Sequence, residues 1–403
     1  MPQTSQIPIG NLTRPNKNTI LMTVLDGLGG LFHPEKGGSE LQVAQTPNLD
    51  KLAKSSSLGL TDPVAPGITP GSGPGHLALF GYDPIVHEIG RGVLEALGIG
   101  LQLTTDQIAA RGNFCTLDEN RKLVDRRAGR VNSKRATGLC ERLNTIEIKG
   151  LTFNFHHVKD HRFVLILSGD GMSPEVTETD PQILGVPPVE SKGISDQGAK
   201  TAQAINYITS EAQRILSGEV QANGILLRGF SSLPEMPDFG KIMHLRPAAI
   251  AAYPMYKGLA KLIGMTILPT GTSFREEIIT LKQYRDEFDF FFLHYKATDT
   301  AGEDGDFEAK VSALEYFDQK LPEILAFGAT VTIIAGDHST PALLAGHSWH
   351  PVPFLLNSRW TSGSVNAVFS EEYCATGSIG RIPATSIMPL ALAHSDKLNK
   401  FGP

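Results

Sequence analysis

A serine stands inside a run of small residues, PGSGPGH at positions 70–76, and HLALFGY continues the run from position 76. The pattern predicts a turn opening into a helix, with Ser72 near the helix N-terminus. Such an end offers unpaired backbone N–H groups and a positive dipole, which favour an alkoxide and an incoming phosphoryl group. A serine hydroxyl attacks poorly until a base or a metal activates it. No Gly-Lys-Ser/Thr follows, so this is not a Walker loop, and the G-x-S-x-G elbow is absent. Elsewhere, potential ligands fall just beyond apolar runs. Asp26 follows residues 19–25 (TILMTVL), Lys296 and Asp299 follow residues 288–294 (FDFFFLH), and Asp337 with His338 follow residues 329–335 (ATVTIIA). His347 precedes residues 352–356 (VPFLL). Carboxylate and imidazole sets suit Mn, Zn, Co or Fe, and carboxylates alone also suit Mg. Singly, each has a plainer explanation: an Asp after a strand is commonly a turn residue or helix cap, and His350 reads as a surface or supporting residue. The recurrence of such residues at matching positions is what favours a metal site.

The elements that must position these groups follow from the same runs. All four are short, apolar and near-continuous, as strands of a parallel sheet buried on both faces are. Helical patterns at 47–54 (PNLDKLAK) and 307–326 (FEAKVSALEYFDQKLPEILA) alternate with them, which predicts βαβ units. In open sheets of this kind functional groups collect beyond the carboxyl ends of the strands. The middle of the chain differs. Strand-like pieces at 110–117 (ARGNFCTL), 162–168 (RFVLILS) and 225–230 (ILLRGF) surround a helical stretch at 196–216. The expected organisation is an α/β core, 1–106 and 245–403, with a smaller α+β domain, 107–244, inserted in it.

Bulk properties set the class. A chain of 403 residues exceeds one ordinary core, so two domains are expected. Hydrophobic residues at 41% and charged residues at 19% fit a globular enzyme and exclude a disordered chain. A formal charge of −6 gives no field for nucleic acid. Cys115, Cys140 and Cys374 have no CxxC spacing and read as small buried residues in a reducing compartment. The polar opening MPQTSQIPIGNLTRPNKN lacks the basic start and apolar core of a signal peptide, and no stretch reaches the roughly 18 apolar residues of a membrane span. A cytoplasmic enzyme is expected, with no membrane partner.

Taken in order, these segments resemble the cofactor-independent phosphoglycerate mutases, in their shorter archaeal-type branch, within the alkaline phosphatase superfamily. The resemblance runs along nearly the whole chain. It is carried by DGLGG at Asp26, GSGPGHLALFGYDP around Ser72, RGVLEALGIG at Arg91, ARGNF at 110–114 and VDRRAGR at 124–130. It continues through HRFVLILSGDGMS and TETDP, then GILLRGF, AAIAAYPMYKGLAKLIGM, HYKATDTAGEDGDF, GDHSTP, GHSWHPVP and the final FGP. The ordered set is specific although each element alone is weak.

The resemblance implies an alkaline-phosphatase-like, mostly parallel sheet flanked by helices, with the inserted domain as a cap. It implies interconversion of 3-phosphoglycerate and 2-phosphoglycerate, a step of glycolysis and gluconeogenesis, through phosphoserine at Ser72 and without bisphosphoglycerate. It places Asp26, Ser72, Asp337 and His338 at one divalent cation, and Asp299, Glu303 and His347 at a second. Mn or Mg is the expected metal, with Co or Zn as alternatives. Lys296 would touch the phosphoryl group. In the inserted domain Arg126, Arg130, Arg162 and Arg228 suit the substrate's phosphate and carboxylate, with Arg127 and Lys257 as weaker candidates, and Asp125 suits acid/base duty. Substrate would bind between core and cap. Two departures stand out: many relatives carry His where this chain has Glu303, and GSDTAH where it has GSGPGH. The first hardens the metal site towards Mg or Mn, and the second removes an acid beside Ser72. Alternatives are a metal-dependent phosphomonoesterase or other phosphomutase on the same core, and a non-catalytic phosphometabolite-binding protein. The expected partner is a small phosphoglycerate, and a homo-oligomer is compatible with the sequence.

Overall fold

Every residue of the Ile20–Leu25 strand is buried, as its unbroken apolar sequence requires of a strand covered on both faces. The structure, a computed structural model, describes residues 9–402. The first eight residues of the polar opening and the last residue of FGP therefore lie outside the described residues. The chain divides into two units, Met1–Glu88 with Met236–Pro403, and Ile89–Glu235.

The first unit is built on an eight-stranded sheet. Its order is Gly380–Pro383, Ser57–Asp62, Val352–Ser358, Val331–Ala335, Ile20–Leu25, Phe290–Tyr295, Pro247–Ile250 and Thr266–Ile267. Ile20–Leu25 pairs in parallel with Phe290–Tyr295 and with Val331–Ala335. Leu25 lies beside Tyr295 and Val24 beside Ala335, so Asp26, Lys296 and Asp337 leave the sheet at one edge. The strands alternate with helices such as Phe307–Leu325, whose buried Val311, Leu314, Phe317 and Leu321 join the core. One expectation is corrected. Val352–Ser358 runs antiparallel to both neighbours instead of parallel. An apolar run reads the same in either direction. Here the connection after Val331–Ala335 contains only the short turn Ala342–Leu344, with no crossover helix to return the chain for parallel pairing.

The second unit is α+β. The Gln107–Leu117 strand pairs antiparallel with Arg162–Ser168, Gly224–Ser232 and Leu123–Asp125, and Thr152–Lys159 adds to Arg162–Ser168. Helices Ser133–Leu143 and Gly198–Leu216 contribute Leu139, Leu143, Ile205 and Ile208 to its core. The sequence placed this domain at 107–244, whereas the unit spans 89–235. The helix Arg91–Gly98 explains the earlier start. It lies so close on Gln107–Leu117 that a Cβ at Gly92 would come 2.5 Å from the Ala109 carbonyl oxygen. The three cysteines are buried and unpaired. Among the described residues no helix is long and apolar enough to cross a membrane.

Candidate active site

Three loops at the carboxyl edge of the first unit's sheet deliver the acidic ligands. Asp26 follows its strand directly, Asp299 rides on the helix Ala297–Glu303, and Asp337 with His338 follow Val331–Ala335. Ser72 opens the helix Ser72–Leu79 after Gly71 as N-cap. This helix is pressed onto the Asp337 turn: a Cβ at Gly75 would sit 2.2 Å from the Asp337 carbonyl oxygen. Gly→Ala inside a helix ordinarily gains about 1 kcal/mol. Here the clash is with backbone and wins, so Gly75→Ala is expected to cost about 1–3 kcal/mol, read as a lower urea midpoint together with reduced turnover.

Hydrogen bonds fix the protonation of the central imidazole. The Thr340 hydroxyl donates to Asp299 Oδ1 at 2.8 Å, so it accepts from His338 Nδ1, also at 2.8 Å. His338 Nε2 is left with its lone pair. It stands 3.1 Å from Ser72 Oγ, 3.3 Å from Asp26 Oδ1 and 3.1 Å from Asp337 Oδ2. Asp337 Oδ1 accepts from the Gly27 N–H at 3.1 Å. Asp337 Oδ2 is 3.1 Å from His76 Nδ1, but that nitrogen turns its hydrogen to the Ser72 carbonyl at 2.8 Å. Asp26 Oδ1 and Asp337 Oδ2 are thus buried without a hydrogen-bond partner.

Asp26 Oδ2 is crowded instead. It accepts from the Tyr256 hydroxyl, from His294 Nε2 at 3.2 Å and from Lys296 Nζ at 2.9 Å. Burial opposes ionisation of Asp26, but the Lys296 ammonium and the bond from His294 outweigh it and hold the carboxyl well below the usual range. Lys296 also donates to Asp299 Oδ2 at 2.5 Å, so one ammonium bridges both sets of ligands. Burial would lower the Lys296 pKa, yet Asp26 and Asp299 raise it above the ordinary lysine value. Burial lowers His294 to about 4, so it is neutral and donates.

Two groups of ligand atoms result, each within 4.8 Å mutually: Asp26, Asp337 and His338, and Asp299, His338 and His347. The two imidazoles stack at 3.7 Å. His347 donates Nδ1–H to the Pro70 carbonyl at 2.9 Å, which turns its Nε2 towards Asp299 Oδ1 and Glu303 Oε1, both 3.6 Å away. Glu303 stands at the rim, its side chain 55% exposed. Unpartnered carboxylate oxygens converging on an imidazole lone pair make a donor set that suits a divalent cation. Burial depresses the His347 pKa, but the Glu303 carboxylate, the Pro70 carbonyl and Asp299 raise it to about 9. A metal must displace that proton. Apparent Mn²⁺ affinity is therefore expected to rise about tenfold per pH unit from neutrality, levelling near pH 9. Calorimetry in buffers of different ionisation enthalpy would read the released proton.

The second unit holds the remaining candidates. Arg126 clasps Asp180 through Nε at 3.0 Å and Nη2 at 2.6 Å, with Arg228 Nη1 at 3.9 Å from the same carboxylate. Asp125 accepts from the Arg127 and Gly129 amides at 2.7 and 2.5 Å. It closes a turn in which Ala128, Gly129 and Arg130 all have positive φ, a strained stretch of the kind that gathers at functional loops. Arg127 and Arg130 are exposed, Arg162 is half-buried, and Lys257 lies instead in the first unit, on the helix Pro254–Leu262.

Several residues were not marked by the sequence as functional. Tyr256, His294, Thr340 and His76 all stand inside recognised segments, but no spacing singles them out. In the second unit Glu95 is buried 3.4 Å from Arg111. Burial raises its pKa, against the pull of Arg111, Arg162, Arg91 and Arg228. The field of four guanidinium groups thus falls on one carboxylate, of which Arg111 is the one in contact.

Comparisons with known proteins give the family. Residues 53–221 match the family described as 2,3-bisphosphoglycerate-independent phosphoglycerate mutase. A relative from Thermotoga neapolitana, named a probable enzyme of that description, is 47% identical over 98% of both chains. A Thermus thermophilus relative of the same name is 46% identical over 97% of this chain and 98% of its own. Among solved structures, a Pyrococcus horikoshii protein is similar with a TM-score of 0.82 at 27% identity, covering 96% of this chain and 100% of its own. The cofactor-independent phosphoglycerate mutase of Thermoplasma acidophilum is similar with a TM-score of 0.67 at 27% identity, covering 94% and 100%.

Proposed function

The chain belongs to the 2,3-bisphosphoglycerate-independent phosphoglycerate mutases, which interconvert 3-phosphoglycerate and 2-phosphoglycerate, and from that premise we propose that Ser72 carries the phosphoryl group between the two hydroxyls of glycerate. The observation that supports this most is the placement of Ser72 Oγ at a helix N-terminus, 3.1 Å from the His338 lone pair and beside the unpartnered oxygens of Asp26 and Asp337.

Asp26, Ser72, Asp337 and His338 would hold one divalent cation, and Asp299, Glu303 and His347 the other, with Mn or Mg preferred over Co or Zn. Such cations lower the pKa of a coordinated hydroxyl and neutralise charge on phosphoryl oxygens. Ser72 Oγ, deprotonated, forms the bond to phosphorus as the bond to the 3-oxygen breaks. The proton that leaves Ser72 would pass through Asp125 to the departing oxygen. Glycerate reorients, Asp125 takes the proton of the 2-hydroxyl, and that oxygen attacks phosphoserine to give 2-phosphoglycerate and free Ser72. Arg126, Arg130, Arg162 and Arg228 would bind the substrate's anionic groups, and Lys296 would support the transferring phosphoryl group while keeping Asp26 ionised. No bisphosphoglycerate enters the cycle, and a cytoplasmic location suits the substrate.

If water reached phosphoserine the product would be free phosphate. Phosphorus NMR of the Mn²⁺-loaded protein with 3-phosphoglycerate alone is expected to show 2-phosphoglycerate and no inorganic phosphate. Inorganic phosphate as the sole product would move the assignment to a phosphomonoesterase.

A further inference from the structure

Lys310, on the helix Phe307–Leu325, is fully buried, and Glu40 is buried close by. An ammonium in such a place requires oxygen partners for its protons. Lys310 Nζ donates to the Gly29 carbonyl at 3.0 Å and to the Thr340 carbonyl at 2.8 Å. Gly29 belongs to the turn that begins at Asp26, and Thr340 to the turn that begins at Asp337. The Thr340 N–H reaches the Gly29 carbonyl at 3.0 Å, and the Thr340 hydroxyl is the group that orients Asp299 and His338. One ammonium therefore ties together the backbones of both ligand-bearing turns.

Two buried or half-buried carboxylates, Glu40 and Glu371, act on it electrostatically without an ion pair. Glu40 Oε1 accepts from the Ala342 N–H at 2.6 Å, and its Oε2 has no hydrogen-bond partner. Glu371 accepts from the Gly30 N–H at 2.9 Å and the Ser39 hydroxyl at 2.7 Å. The fit is close: a Cβ at Gly30 would fall 2.1 Å from Glu40 Oε2, and one at Gly29 would fall 1.9 Å from Ser339 Oγ. None of these groups is a ligand in the metal assignment, yet they surround the backbone from which the ligands spring.

We propose that Lys310 is a positioning residue for the metal centre, its ammonium serving as a built-in cation that locks the two turns at the spacing Asp26, Asp337 and His338 require. The proposal rests on the assignment of those three residues as metal ligands. Lys310→Met alone leaves Glu40 uncompensated, so the Lys310→Met/Glu40→Gln double variant removes both charges and keeps the volume. In that folded variant Mn²⁺ affinity by calorimetry is expected to fall about 10–100-fold, with kcat reduced and KM for 3-phosphoglycerate unchanged. A merely structural role would lower the unfolding midpoint and leave Mn²⁺ affinity and kcat at wild-type values, which would overturn the proposal. Wild-type protein that takes up no Mn²⁺ would instead sink the metal assignment on which the proposal rests. A measurement free of variants decides the matter should neither fold. The nitrogen-15 signal of the Lys310 ammonium is expected to shift when wild-type protein is saturated with diamagnetic Mg²⁺, and a signal that Mg²⁺ leaves in place would overturn the proposal.

Discussion

Ser72→Ala is expected to lower kcat on the order of 10⁵-fold while leaving the fold and the metal content in place. The side chain is small and stands at the first turn of Ser72–Leu79, where Gly71 already caps the helix without a side-chain bond. Its contact with the rest of the site is one hydrogen bond to His338, at 3.1 Å, whose loss costs about 1 kcal/mol. Asp26, Asp337 and His338 keep their arrangement, since Gly27, Thr340 and Lys296 orient them. Metal content by atomic absorption should therefore match the wild type, and substrate should still bind. Without Oγ there is no acceptor for phosphorus, and only a slow direct reaction with water remains. A variant that kept even a hundredth of the turnover would remove Ser72 from the pathway.

Asp337→Asn should separate the part the carboxylate plays in folding from the part it plays in binding metal. In the metal-free protein Asp26 and Asp337 are both buried and ionised, and each raises the cost of charging the other. For Asp337, burial and the Asp26 charge push its pKa up, while His338 and His76 pull it down and prevail. Because those pulls prevail, the ionised carboxylate contributes to folding at neutral pH, so an amide at 337 is expected to make the metal-free variant unfold at a lower temperature than the wild type. It also removes a charged ligand whose Oδ2 is otherwise unpartnered. Mn²⁺ affinity should fall about 100-fold or more, since even supporting residues cost 10–100-fold. The stabilisation by saturating Mn²⁺, about 4 kcal/mol at a thousand times Kd, should then largely vanish. Parallel thermal scans with and without Mn²⁺ read both effects. A variant that Mn²⁺ stabilises as strongly as the wild type would contradict the role given to Asp337.

Where the sequence could be read, physics explains why. Strands buried on both faces are continuous apolar runs, so Asp26, Lys296 and Asp337 could be placed at strand ends before their register was known. Asp299 and Glu303, four residues apart, fall on one helix. Strand direction was not legible for Val352–Ser358, because burial is symmetric under reversal. The helix Arg91–Gly98 falls in the second unit, and an amphipathic helix does not say in its sequence which sheet it covers. Tyr256 meets Asp26 across 230 residues of chain, and nothing local announces such a pairing. Lys310 and Glu95 look like surface positions of amphipathic helices until the partners that bury them are seen. In the second unit Arg126 and Arg228 converge on Asp180 and Arg111 approaches Glu95, pairings with no local signal because a lone arginine on a strand or helix is common.

The central claim is that phosphorus passes through Ser72. It is tested most directly by mixing the Mn²⁺-loaded protein with 3-phosphoglycerate, quenching in acid within a turnover, and mapping phosphate by peptide mass spectrometry. The account predicts phosphate on the peptide containing Ser72, appearing no later than 2-phosphoglycerate. Phosphate on another residue, or turnover with no phosphoprotein at any time point, would contradict it.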